Sequence, residues 1–157
     1  MLPRYRRSLA PALLLALALF ALLPADARAQ TADAGKNEDP TFKEFRGVTI
    51  GMPMAEARKK LGDPTDKSDQ QDFYVFSDEE TAQIFYDGEK KVSAVAVVYT
   101  GGTNVPSARV VFGKDIDAKP DGSQYLRVQY PKVGYWVSYS RTPGDTPVTS
   151  ITMMRKQ

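Results

Sequence analysis

Apolar residues recur at helical spacing in one short stretch of the chain and alternate with polar ones over much of the rest. In "GMPMAEARKKLGDP" (51–64), Met54, Ala57 and Leu61 stand at i, i+3 and i+7 and draw one apolar stripe along a helix. Both ends are marked. Pro53 suits a first turn, and Glu56 lies near the positive end of the helix dipole. Arg58, Lys59 and Lys60 lie near the negative end, and Gly62 followed by Pro64 closes the element. Upstream, Phe42 and Phe45 are spaced to cover one side of a core, and Val48 and Ile50 alternate as an extended lead-in. Downstream the period changes to two. "DFYVF" (72–76), "TAQIFY" (81–86) and "KVSAVAVVY" (91–99) read as strands, joined by "SDEE" and by the Asp87-Gly88 turn signal. Connections this short predict an antiparallel meander.

The pattern then restarts. "ARKKLG" (57–62) is echoed about fifty residues on by "ARVVFG" (108–113), with Ala, Arg and Gly kept and Leu exchanged for Phe. "YLRV" (125–128), the segment around Trp136 and "VTSITM" (148–153) follow in the places of the three earlier strands. The predicted fold is α+β: an antiparallel meander sheet with short helices packed on one face, built as a tandem repeat with units at 42–101 and 102–157. Neither unit buries its own apolar face well, whereas two laid edge to edge share one sheet. The second helix is the open point. Val110 and Val111 leave "PSARVVFG" either a single helical turn or a strand.

Residues 1–29 stand outside this pattern. A basic start ("MLPRYRR"), an apolar run ("LAPALLLALALFALL", 9–23) and "ARA" (27–29) form a secretory signal, with cleavage expected between Ala29 and Gln30. The run is shorter than the ~20 residues a spanning helix needs, so no integral membrane segment is expected after cleavage. Residues 30–41, small and polar at first, read as a flexible leader. The whole chain has 21 Lys+Arg against 19 Asp+Glu, but the signal carries Arg4, Arg6, Arg7 and Arg28 with Asp26. Its removal leaves the charges almost balanced, which argues against nucleic acid as a partner. There is no cysteine, which excludes disulfides and a lipid-modified N-terminal cysteine. There is no histidine either, so Ser-His-Asp and Cys-His catalysis and the usual zinc sets lose their imidazole. The expectation is a periplasmic or secreted protein that is not an enzyme and takes no cofactor or metal.

The run "IGMPMAEARKKLGDP", then "FYVF" and "IFYDGEKKVSAVAV", resembles the SmpA/OmlA domain of BamE-type outer-membrane assembly proteins. The doubled arrangement resembles the β-lactamase-inhibitor-protein (BLIP) fold. The first resemblance covers about 48–99; the second rests on the internal echo. Together they imply a helix-plus-meander fold and a habit of binding proteins. BamE-like proteins are held at the membrane through an N-terminal cysteine, and BLIP-like inhibitors are stapled by disulfides; both are missing here.

Candidate chemistry lies on the sheet and its turns. Leu126, Val128 and Tyr130 alternate with Tyr125, Arg127 and Gln129, the first set reading as buried and the second as exposed. Aligning the halves puts Tyr74 and Phe76 with the buried set and Phe73 and Val75 with the exposed one. Phe73, Tyr125, Arg127 and Trp136 on one free face have the composition of a protein-interaction hot spot. Asp78 and Glu79, at the tip of the first hairpin, are candidates for a negative finger entering a basic pocket on a partner. Asp63, Asp66, Asp69 and Asp72 recur every third residue, and without a D-x-D-x-D-G pattern they read as a solvated loop rather than a calcium site. The expected function is an exported, non-enzymatic protein-binding module of the bacterial cell envelope. The alternatives are a BamE-like assembly factor and a BLIP-like inhibitor of a secreted or periplasmic enzyme.

Overall fold

The computed structural model describes residues 39–101 and 104–156 together with the backbone of 31–32. The signal segment and most of the leader lie outside the described residues. The chain runs β1 (Thr31–Ala32), α1 (Met54–Leu61), β2 (Asp66–Lys67), β3 (Gln71–Ser77), β4 (Glu80–Tyr86), β5 (Val92–Thr100), α2 (Ala108–Phe112), β6 (Gln124–Tyr130), β7 (Tyr135–Arg141) and β8 (Val148–Arg155). All the strands join one sheet in the order β1-β6-β7-β8-β5-β4-β3-β2. Strands β2 to β8 pair antiparallel with their neighbours, and β1 lies parallel to β6. Two meanders, β3-β4-β5 and β6-β7-β8, therefore meet through their third strands. At that joint Val97 faces Ile151 and Val95 faces Met153, all four fully buried.

Helix α1 forms where the apolar stripe and end signals place it. Ala57 is fully buried, while Met54 and Leu61 pack half-buried at the edge of the core. The Gly62 N–H donates to the Arg58 carbonyl at 2.9 Å, and Gly62 holds the positive φ that ends the helix. Helix α2 is only five residues long, because Val110 and Val111 limit propagation, yet it buries Ala108 and Val111 as α1 buries Ala57. Both helices pack on the same side of the sheet as Ile84, Val137, Tyr139 and Met153. Phe45 and Val48 close this core from a two-residue turn, exchanging hydrogen bonds of 3.0 and 2.8 Å around Arg46 and Gly47, both at positive φ. The other side of the sheet carries neither helix.

The burial alternation falls as expected: Tyr74, Leu126, Val128 and Tyr130 are buried, Phe76 is half-buried, and Val75 is exposed. The acidic loop is a correction. Asp66 and Asp69 are exposed, but Asp72 is completely buried, because it shares the inward register of Tyr74 and meets a cation from α1.

Candidate protein-interaction face

Pairing register assembles the helix-free side of the sheet from three rows of side chains. One row runs Gln129, Trp136, Met154, Ala94, Phe85, Gln71. The next runs Arg127, Ser138, Thr152, Ala96, Gln83, Phe73, and the third runs Tyr125, Ser140, Ser150, Val98, Thr81, Val75. Small side chains occupy the middle strands and rings occupy the flanks. Tyr125, Arg127 and Trp136 are therefore neighbours on β6 and β7, each half-exposed. Phe73, also half-exposed, ends the Arg127 row on β3, five strand spacings or about 24 Å away. The four face residues share one face, but three stand together on β6 and β7 and Phe73 stands apart from them on β3. Sequence alternation assigns a side of the sheet but carries no strand order, so this separation was not legible.

At the β6–β7 flank the Arg127 guanidinium lies over the Trp136 ring, 4.2 Å from its centroid. The Arg127 Nε–H is shut off from solvent and has no hydrogen-bond acceptor among the described residues. Lys119 Nζ stands 5.9 Å from the centre of the Tyr125 ring. Beside Trp136 is a hollow of about 100 Å³ walled by Tyr130, Pro131, Gly134 and Tyr135, with Lys156 at its rim. A larger hollow of about 490 Å³ lies over the middle of the sheet, at Phe85, Ala94 and Met154 on β4, β5 and β8. The Arg155–Asp87 ion pair, 2.6 Å long, borders it.

Asp78 and Glu79 form the exposed tip between β3 and β4, on the hairpin that carries Phe73 and across the sheet from Tyr125, Arg127 and Trp136. The tip is braced at its base. Glu80 takes a 2.7 Å hydrogen bond from Arg46, whose guanidinium also covers the Phe76 ring at 4.1 Å.

One polar constellation was missed by sequence reasoning. Arg58 reaches from α1 to Asp72 with two hydrogen bonds of 2.8 and 2.7 Å, and the Tyr86 hydroxyl donates to the same carboxylate at 2.6 Å. Burial, the largest influence, pushes the Asp72 carboxyl up, but the hydrogen bonds from Arg58 and Tyr86 more than reverse it and hold it below the usual carboxylate range. Burial and then the Asp72 carboxylate raise the Tyr86 hydroxyl well above the ordinary phenol. Tyr74, adjacent in this inner layer, is pushed up to about 12 by burial and then by the charge of Asp72. This group joins helix to sheet. The signal for it was Asp72 standing two residues before Tyr74, on the buried register. Among the described residues, no three carboxylate, histidine or cysteine side chains gather as metal ligands would.

No family model matches this chain, and neither a curated protein nor a solved structure does.

Proposed function

We propose that this chain is an exported, non-enzymatic module of the bacterial cell envelope that binds another protein through the helix-free face of its sheet. The carrying observation is the cluster of Tyr125, Arg127 and Trp136, partly exposed on a face whose opposite side holds the core and both helices. Trp, Tyr and Arg are the side chains that most often dominate binding energy at protein interfaces. Rigid strands fix their positions, so little ordering cost is left for the moment of association.

The reading includes a duplication. Two helix-plus-meander units, SmpA/OmlA-like and arranged as in BLIP, are supported by the meeting of β5 with β8 and by the placement of α1 and α2 on one side. Export rests on the signal at 1–29, and no helix among the described residues is long and apolar enough to cross a membrane. The inhibitor alternative draws on the braced acidic tip at Asp78 and Glu79, the assembly-factor alternative on the resemblance of the first unit.

The test is capture from an envelope extract by the wild type and by a Tyr125→Ala, Arg127→Ala, Trp136→Ala triple variant, with Asp78→Ala, Glu79→Ala in parallel. Specific partners should be lost from the triple variant while its circular dichroism and melting curve stay near wild type. Equal capture by a folded triple variant would refute the face, and loss confined to the tip variant would transfer the function to the acidic finger.

A further inference from the structure

Among the described residues, the β6–β7 flank carries a cation, Arg127, that no carboxylate pairs. Arg46, Arg58, Arg109 and Arg155 each hold an ion pair, with Glu80, Asp72, Asp115 and Asp87 respectively. Arg127 instead lies against the Trp136 ring, its Nε–H unsatisfied among the described residues. Its cross-strand neighbour is Ser138, with Thr152 beyond, so the row beside it offers hydroxyls but no negative charge. Lys119 and Lys156 add positive charge on either side, at the Tyr125 ring and at the rim of the hollow beside Trp136. The carboxylates of Asp115, Asp117 and Asp121 gather around Lys119 and Asp39 stands near Tyr135, leaving Arg127 itself as the uncompensated charge.

From this arrangement we infer that the face receives an acidic polypeptide segment, whose Asp or Glu carboxylate pairs with Arg127 while an adjacent apolar side chain packs on Trp136. The inference rests on the docking face proposed above and adds the chemistry of its occupant. An arginine already stacked on an indole is held in one plane, which suits the two-point hydrogen bonding of a carboxylate. The same flank has an apolar complement in Trp136, beside which a small hollow opens at the end of the β6–β7 hairpin. Gln129, on the wall of that hollow, stands one two-residue repeat from Arg127 along β6, about 7 Å, which is also the spacing of same-side side chains in an extended peptide. A small free anion would find one stacked cation on an open sheet and nothing to enclose it, so a polypeptide is the occupant that uses all these features.

Trp136 is the one tryptophan of the sequence, so its emission reports on this site. The immobilised chain is panned with a random twelve-residue peptide display library, and the strongest binders are synthesised with and without their acidic residues. The expected result is selection of peptides carrying Asp or Glu beside an apolar residue, with a shift of Trp136 emission on binding. Replacing the peptide's Glu by Gln, or making Arg127→Met, should weaken binding at least tenfold, and Arg127→Lys less. Arg141→Met, at the far end of β7, should leave it unchanged. The Glu→Gln change leaves the protein untouched, so a folding defect cannot imitate the result. Binders that shift Trp136 emission yet show no acidic preference, or bind Arg127→Met as tightly as wild type, overturn the acidic partner and leave the docking face standing. If no selected peptide perturbs Trp136, the docking face falls and this inference with it.

Discussion

Asp72 shows how far one side chain departs from what its neighbours in sequence imply. It stands in a run of spaced aspartates, yet its carboxylate is sealed between α1 and the sheet and shared by Arg58 and Tyr86. Changing it to Asn leaves the Arg58 guanidinium, about a third exposed, without its counter-charge. The expected loss is about 2–3 kcal/mol, below the usual cost of breaking a fully buried pair because water still reaches Arg58. The melting temperature should fall by about 10 °C. The folded carboxyl sits below its unfolded value, so the stabilisation is complete above the ordinary aspartate pKa of about 4 and fades as pH drops through the folded one. Melting wild type and Asp72→Asn at pH 7 and at pH 3 checks this, since the gap should be wide at the first and smaller at the second, where the contribution has begun to fade. An undiminished gap at pH 3 would mean that Asp72 acts through shape rather than charge.

Among the elements, the helices show what periodicity decides and what it leaves open. The stripe of Met54, Ala57 and Leu61, with Pro53 and Gly62 at its ends, specified α1, while alternation gave the inward faces of β3 and β6, and the turns and the internal echo placed the other strands of the two meanders. The choice at Ala108–Phe112 was open because two valines oppose the helical spacing. Contact of Ala108 and Val111 with the core settles it, a tertiary effect invisible to local preference. The shared feature of both helices is a small residue where they touch the sheet. Ala57→Leu should therefore crowd the contact and cost about 1–3 kcal/mol, whereas Ala55→Leu on the exposed side of α1 should cost little. Urea titration of the two variants separates them, and equal midpoints would mean that α1 has room to move off the sheet.

For the molecule as a whole, the joint between β5 and β8 matters most. Val95, Val97, Ile151 and Met153 are completely buried there, so neither meander should survive alone. Ending the chain at Pro147 removes β8 and should abolish cooperative unfolding and protease resistance. Starting it at Asp39 removes, among the described elements, only the two-residue β1 at one margin of the sheet and should leave both largely intact. Strand order is also the main thing the sequence withheld. Each meander was legible from its turns, but which strands would adjoin, and hence the distance between Phe73 and Trp136, depends on contacts between residues far apart along the chain.

That order has a consequence for how the protein is made. Synthesis runs from the N-terminus, so β5 is complete long before its central neighbour β8 has left the ribosome, and two aliphatic strand margins stay open in the interval. Until β8 emerges the middle of the sheet stays unfilled, and a truncation that removes β8 empties the middle of the molecule instead of trimming its rim.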